Sequence, residues 1–362
     1  MTMKVRTYSD AEILLGRIRA ELESHEAANS LMLGTCGQLI RHPEQVKAAP
    51  CLKTVEDEHG LIVAALMTPP QKLVVYGHQG DLNGGTRILV KELVGAGHRV
   101  PGVLGPSEVA QKTAERWEEV TGEAHVLEQR LMVYELREVL RPVPERGQLR
   151  LAMETDVELA SRWSYEFTLE VFGRADREEA GRAARLRIGQ GEIFLWEDGQ
   201  PVSMAMKTRP TRRGISVGGV YTPPECRRRG YATACVGELS RLLLGAGSEF
   251  CALFADLSNA TPNRVYQSIG YRPVCDYDEY VFLRDGMSKH GRPLHSGPFY
   301  PAGETAAKQE GSIGGVNHEH NQDTLCGQSG GLASLAGKAS QNREGSLAGI
   351  LQEANRAATY SL

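Results

Sequence analysis

The sequence lacks features that several classes of protein require. Its 362 residues carry a net charge of −4 at pH 7, so no general positive charge attracts nucleic acid or anionic membranes. No apolar run approaches the roughly 20 residues of a membrane-spanning helix. The N-terminal segment MTMKVRTYSD has no apolar stretch typical of a signal peptide. We therefore expect a cytoplasmic protein that binds neither nucleic acid nor a membrane.

The positions of cysteine and histidine argue against disulfide or zinc sites and against histidine-based catalysis. The seven cysteines are an odd number without a C-x-x-C pair, which favours reduced thiols over a disulfide framework or a zinc site. None of the ten histidines lies between His125 and His290. A site in that window therefore uses no Ser-His-Asp triad and no histidine-bound metal. His318 and His320 flank Glu319 in a polar segment, and we interpret them as incidental rather than as metal ligands.

Composition divides the chain into two folded parts and a tail. Hydrophobic residues make up 41% and charged residues 24% of the chain, values typical of a globular protein. Residues 286–362 are rich in glycine and serine and poor in large apolar side chains, which predicts a disordered tail that folding does not need. The segment RPVPERG holds two prolines and a glycine, which indicates a linker over residues 141–148. The lobes are then residues 1–140 and 149–285.

The two lobes share one order of predicted elements. In the second lobe a strand is followed by two helices, a hairpin at Asp198-Gly199, another strand, a helix, a strand, a short helix and a last strand. In the first lobe, helices within Asp10–Ile40 precede strands and helices in a comparable order. Helices that pack on a mixed sheet, twice over, predict an α+β protein (with α/β-type layers) made of two similar lobes.

One segment of the second lobe carries a chemical signal. It reads GISVGGVYTPPECRRRGYATA over residues 214–234, an apolar strand that breaks at Pro223-Pro224 and leads through three arginines into a helix at Gly230. The first turn of a helix offers free N–H groups and a positive dipole end, which together bind anions. Gly230 and the small Ala232 let a phosphate approach the backbone, and the arginines add cationic donors. The alternative is a basic helix start on a solvated surface.

The following segment, DLSNATPNRVYQSIGYRPV over residues 256–274, favours the anion-binding interpretation. With it, residues 149–283 resemble the GNAT N-acetyltransferase superfamily. Arg227, Gly230 and Ala232 match the acetyl-CoA loop Q/R-x-x-G-x-G/A of that superfamily, and Asn259, Tyr266 and Gly270-Tyr271 match its later N…Y…G-F/Y pattern. The first lobe resembles the N-terminal pseudo-GNAT lobe of two-lobed members. Its glycine-rich stretch at residues 77–85 lacks the loop motif, so we interpret this lobe as a scaffold that walls one side of the acceptor cleft.

The resemblance implies two GNAT-like lobes, each with a mostly antiparallel sheet flanked by helices, and acetyl-CoA bound between the strands at residues 215–221 and 250–255. Backbone groups of Val220, Tyr221 and Thr222 would pair with the pantetheine and polarise the thioester carbonyl. Asn259 would hold the turn or touch the pantetheine, and Tyr266 would face the sulfur. A phenol is protonated at neutral pH, so Tyr266 can donate a proton to the leaving thiolate. The pyrophosphate would lie on the loop of Arg227, Arg228, Arg229, Gly230, Tyr231, Ala232 and Thr233.

The expected reaction is acetyl transfer to a primary amine of a small molecule or peptide, and it involves no metal. A lysine-like amine is mostly protonated at pH 7, so a base is needed, and we favour Glu225 over Glu166, Glu170 and Asp256. The alternative function is an acyl-CoA-binding module without turnover. Nucleic-acid binding through Arg212, Arg213 and Arg227–Arg229 is less favoured, because interleaved aromatic residues and overall positive charge are missing. A homodimer is left open.

Overall fold

The computed structural model describes residues 2–46, 48–77, 79–140 and 146–283. The predicted tail, residues 286–362, therefore lies outside the described residues, as does most of the predicted linker. Within the described residues no helix is long and apolar enough to cross a membrane.

The same order of elements occurs twice along the chain. The first repeat contains β1 (Lys4–Thr7), α1 (Ala11–Ser24), α2 (Ser30–Arg41), β2 (Cys51–Asp57), β3 (Gly60–Met67), β4 (Leu73–Tyr76), α3 (Leu82–Gly95), β5 (Gly102–Pro106), α4 (Ser107–Thr121) and β6 (Ala124–Leu136). The second contains β7 (Gln148–Leu151), α5 (Val157–Phe172), α6 (Arg177–Gly189), β8 (Ile193–Glu197), β9 (Pro201–Thr208), β10 (Gly214–Tyr221), α7 (Tyr231–Gly245), β11 (Phe250–Asp256), α8 (Ala260–Ile269) and β12 (Arg272–Leu283). The predicted α+β class and the predicted duplication are confirmed.

Local sequence explains several helix ends. Asp10, Asp81 and Asp176 each accept a hydrogen bond from a backbone N–H in the first turn of α1, α3 and α6, the arrangement of a good N-cap. The helices α4 and α5 end at glycines with positive φ, Gly122 and Gly173, where a residue with a side chain would be strained.

The strands of the described residues join in one twelve-stranded sheet in the order β1-β2-β3-β4-β5-β12-β6-β11-β10-β9-β8-β7. The sheet is antiparallel except at β4–β5 and β10–β11, one parallel pair in each repeat. The last strands of the two repeats are exchanged: β6 pairs with β11, and β12 pairs with β5. They also pair with each other over most of their length. The two repeats are thus joined by continuous backbone hydrogen bonding, rather than by side-chain contacts alone.

Helices cover both faces of each half of the sheet. In the first repeat, α3 and α4 pack on one face, and α1 and α2 on the other. In the second repeat, α7 and α8 cover one core, and α5 and α6 another. Trp196 and Phe194 on β8, both essentially without solvent exposure, are among the largest buried side chains.

A buried ion cluster lies where the exchanged strands meet. The ammonium group of Lys72, which precedes β4, donates to the carboxylates of Glu128 on β6 and Glu279 on β12. The Lys72 side chain is 5% exposed, and the two glutamates are 14% and 16% exposed. A charge in such surroundings is tolerated because its partners are within hydrogen-bonding distance.

Candidate functional site

A large cavity opens where two neighbouring strands separate. The parallel strands β10 and β11 pair only from Gly214 opposite Phe250 to Ser216 opposite Ala252, although β10 continues to Tyr221. The ladder between β10 and β9 is interrupted between Gly218 and Tyr221, which bends the strand as β-bulges do. The cavity has a volume of about 1470 Å³ and is lined by residues of both repeats. The backbone of β10 past Ser216 is thus left free to pair with a bound molecule.

The N-terminus of α7 faces this cavity without a side-chain cap. Its N-cap residue is Gly230, in the left-handed region at φ 82°, and no side chain accepts from the first turn. Arg228, two residues earlier, also has a positive φ of 61°, so the loop is tightly turned before the helix begins. The first N–H groups of an α-helix have no partner within the helix. Because the cap is a glycine, these donors and the helix dipole are available to an anion.

The equivalent helix of the first repeat is closed. The Oδ1 atom of Asp81 accepts from the N–H of Gly84 at 2.9 Å, at the start of α3. A carboxylate of the chain itself thus occupies the position that an anion would take. Glycines alone, as in residues 79–85, do not make an open anion site here, in agreement with the missing loop motif.

The side chain of Arg227 is held by hydrogen bonds within the protein. Its Nε donates to the carbonyl oxygen of Thr222 at 2.8 Å, and its two terminal nitrogens lie 3.1 and 2.6 Å from the carboxylate of Glu170 on α5. The guanidinium also lies over the Tyr221 ring, 5.8 Å from its centroid. The hydrogen bonds to Glu170 raise the pKa of Arg227. The side chain therefore ties the end of β10 to α5.

The remaining loop residues divide between the cavity and the neighbouring hairpin. Arg228, Gly230, Ala232 and Thr233 line the cavity. Tyr231 also lines it, and its hydroxyl donates to Asp198 at 2.9 Å, in the turn between β8 and β9. Arg229 does not contribute to the cavity lining, so a contact of its side chain with a ligand stays a prediction.

Val220, Tyr221 and Thr222 line the cavity at the end of β10. The Tyr221 hydroxyl donates to Glu166 on α5 at 3.0 Å, and burial together with this carboxylate raises the pKa of Tyr221 to about 12. The Ser203 hydroxyl lies 2.8 Å from the Thr222 hydroxyl oxygen. These contacts fix the side chains and leave the strand backbone as the surface for a ligand.

Tyr266, on α8, also lines the cavity. Its ring packs against Tyr134 and Tyr271, with ring centroids 6.4 and 6.0 Å away. Burial raises the pKa of Tyr266 to about 12, so the phenol stays protonated at neutral pH. Within the described residues no hydrogen bond engages its hydroxyl, which suits a group that donates to a ligand.

The sequence predicts that Asn259 either holds the turn before α8 or contacts the pantetheine. In the structure a second residue, Asn263, holds the turn. Asn259 is exposed, lines the cavity and makes no side-chain cap hydrogen bond at the start of α8. The turn is held instead by Asn263, whose amide donates to the carbonyl oxygens of Asp256 and Asn259 at 2.8 and 2.7 Å. Its Oδ1 accepts from the Tyr134 hydroxyl at 2.9 Å. Asn259 is therefore free to contact a ligand.

The comparisons with known proteins agree with this geometry. Residues 199–282 match the sequence model of a family described as FR47-like protein. An acetyltransferase of the GNAT family from Colwellia psychrerythraea aligns with 78% of this chain and all of its own, with a TM-score of 0.50 and 10% identity. A GCN5-related N-acetyltransferase from Sphaerobacter thermophilus aligns with 79% of this chain and 97% of its own, with a TM-score of 0.52 and 18% identity. The chain has the GNAT fold.

Both aligned structures cover about as much of the chain as the two repeats occupy, so the predicted resemblance to a two-lobed GNAT protein is confirmed. A Drosophila protein also shares the fold over 77% of this chain and 98% of its own, with a TM-score of 0.56 and 11% identity. None of the curated proteins matches the sequence significantly. Identities this low support a shared fold but not a shared activity.

The role of general base, which the sequence assigns to Glu225, stays a prediction. Glu225 is exposed on the short helical turn after β10 and is not part of the cavity lining. Loop position alone suggested it, but the turn directs its neighbour Cys226 inward instead. Glu170 lines the cavity but is paired with Arg227, and Glu166 accepts from Tyr221. Asp256 lines the cavity and accepts from the N–H of Ser258 at 2.8 Å.

The first repeat supplies one wall of the cavity, and the sequence did not identify the residues that form it. One face of α2 and the turn after it contribute Leu31, Thr35, Gln38, Arg41, His42 and Gln45, at the spacing of three and four residues that one helix face presents. Opposite them, β9 and the segment before β8 contribute Lys207 and Glu192. Helical periodicity could have shown that these α2 residues share a face, but not that the second repeat lies across from it. Among the described residues, no group of metal-ligating side chains has a geometry that would hold a metal ion.

Proposed function

We propose that the protein transfers the acetyl group of acetyl-CoA to a primary amine. The observation that carries this proposal is the N-terminus of α7, capped only by Gly230, which opens into the cavity between separated strands and near Tyr266. An uncapped helix start favours a pyrophosphate, and a free strand edge favours the amides of a pantetheine arm.

The cofactor would lie along the cavity in one direction. Its pyrophosphate would accept hydrogen bonds from the loop amides of residues 228–233, where φ values of 61° and 82° at Arg228 and Gly230 turn the chain tightly. Its pantetheine would pair with the backbone at Val220, Tyr221 and Thr222, past the last pair of β10 with β11, Ser216 opposite Ala252. A backbone N–H at the interrupted end of the strand would then polarise the thioester carbonyl.

The chemical step is a direct attack within the ternary complex. The neutral amine nitrogen forms a bond to the thioester carbon, the carbonyl electrons move onto oxygen, and their return breaks the C–S bond. The sulfur leaves as a thiolate and takes the proton of the Tyr266 hydroxyl. The nitrogen gives up its proton to water in the open cavity, and the same water returns a proton to Tyr266. The products are an amide and CoA.

Two measurements test the proposal. Calorimetry should show that acetyl-CoA binds the full chain, and a thiol-release assay should show turnover with at least one member of a panel of amino acids, polyamines, aminoglycosides and peptide N-termini. Absence of acetyl-CoA binding would refute both the site and the reaction. Binding without release of thiol for any amine would instead favour an acyl-CoA-binding module.

A further inference from the structure

On the cavity wall formed by α2, glycines lie next to arginine side chains. Two glycines interrupt this helix, Gly34 and Gly37, although glycine weakens a helix interior. A Cβ atom at Gly34 would lie 2.5 Å from the Cβ of Arg209, and one at Gly37 would lie 3.0 Å from a terminal nitrogen of Arg41. Both glycines thus make room for cationic side chains that line the cavity.

Most charges along the cavity are compensated by a partner in the chain. Arg227 pairs with Glu170, Arg187 with Glu192, and Lys72 with Glu128 and Glu279. Arg41 and Lys207 differ. Within the described part of the chain neither has an ion-pair contact within 4 Å, although both are half-buried and line the cavity.

The surroundings of Arg41 and Lys207 leave an excess of positive charge. The carboxylate of Glu192 acts electrostatically on both cations and is already bound to Arg187 at 2.7 Å. Arg41, Lys207 and Arg187 therefore all act on the one carboxylate of Glu192. Both side chains are partly buried, and this burial lowers the pKa of Arg41 and of Lys207. Half-buried cations without a partner cost stability unless an anion joins them.

We propose that Arg41 and Lys207, one from each repeat, form a subsite for a compact oxyanion in the acceptor part of the cavity. The acceptor would then be an amine that also carries a carboxylate or a phosphate monoester. This inference rests on the proposed acetyl transfer. An arginine fork suits either oxyanion, and a lysine adds a point charge.

Matched pairs of amines test the inference. Amino acids are compared with their carboxamides, and phosphoethanolamine with ethanolamine, in the thiol-release assay. We expect one charged member to be acetylated with a kcat/KM at least about tenfold above that of its neutral partner, since hydrogen bonds to charged groups commonly carry that much binding. The preferred pair identifies carboxylate or phosphate. Equal use of charged and neutral members by an active enzyme would overturn the subsite and leave the transferase function intact.

Variants separate a binding role from a structural one. Arg41→Gln and Lys207→Gln should each raise KM for the charged amine roughly tenfold, with little change in kcat and none for the neutral partner. Their melting temperatures should be unchanged or higher, because an uncompensated cation is removed. Arg185→Gln is the control, since Arg185 is exposed, pairs with Glu154 and lies outside the cavity lining. Lower melting temperatures with an unaltered KM would show that the two cations are structural.

If no amine is acetylated, a binding measurement still tests the oxyanion subsite. With CoA saturating and ionic strength held constant with sodium chloride, acetate and inorganic phosphate are titrated against the wild-type chain and the double variant Arg41→Gln/Lys207→Gln. A rise in melting temperature that is larger for the wild type supports the oxyanion subsite even though the transferase function has failed. Equal rises for the two proteins would refute the subsite.

Discussion

Gly230→Ala is the substitution that most directly tests the open helix start of α7. Gly230 has φ 82°, and a Cβ there would meet no atom within 4 Å, so the substitution causes backbone strain without a clash. Placing a residue with a side chain in the left-handed region costs about 1–2 kcal/mol. For a folded region of this size we expect the melting temperature to fall by roughly 2–8 °C. If the backbone relaxes instead, the loop amides turn away from the cavity.

The matched control is Gly237→Ala, in the interior of the same helix. A Cβ at Gly237 also meets nothing within 4 Å, and its φ is not positive, so alanine should stabilise the helix by up to about 1 kcal/mol. Acetyl-CoA affinity, measured by calorimetry, should fall at least about tenfold for Gly230→Ala, which corresponds to about 1.4 kcal/mol, and should be unchanged for Gly237→Ala. An unaltered affinity of the Gly230 variant, with its fold intact, would refute the assignment of the pyrophosphate to this loop.

Three further outcomes follow from the site and its surroundings. Tyr266→Phe should lower kcat by about 10²-fold or more while acetyl-CoA affinity stays constant, and a parent-like kcat would make the residue structural. Lys72→Met should lower the free energy of unfolding by about 3–5 kcal/mol in a denaturant titration, because Glu128 and Glu279 lose their shared partner; a loss within 0.5 kcal/mol, on the order of an ordinary surface substitution, would contradict this. Burial lowers the pKa of Lys207 in the folded state, so Lys207→Gln should be more stable than the parent at pH 7, with the difference shrinking as the pH rises towards 10.5, the ordinary lysine value. A difference that is independent of pH would contradict that origin.

The sequence predicts the parts of the fold that local patterns determine. The helix after Arg227–Arg229, the hairpin at Asp198-Gly199 and the short helix before Gly270 are all present within a few residues of their predicted bounds. Each depends on a turn, a cap or a periodic apolar face that neighbouring residues define. The repeated element order is visible for the same reason.

Features that depend on distant pairing were not predictable. The exchange of β6 and β12 joins strands that are more than one hundred residues apart, and the apolar pattern of either strand is the same whichever partner it takes. β1 is short, mostly exposed and lies at the sheet edge, so it has little apolar signal. The direction of the Glu225 side chain was not predictable for a related reason, since a position in a loop does not define it.

The two repeats have diverged most clearly in the caps of equivalent helices. Asp81 fills the start of α3 with a carboxylate, whereas Gly230 leaves the start of α7 open. The residue at one position thus determines whether the chain's own carboxylate caps the helix or the first N–H groups are left without a side-chain cap. At α3 the first repeat lacks an open helix start, but it contributes α2, whose glycines leave room for Arg41 of the same helix and for Arg209 of the second repeat. Both arginines line the cavity. One repeat therefore offers the helix start suited to phosphate, and the other contributes a wall of the same cavity.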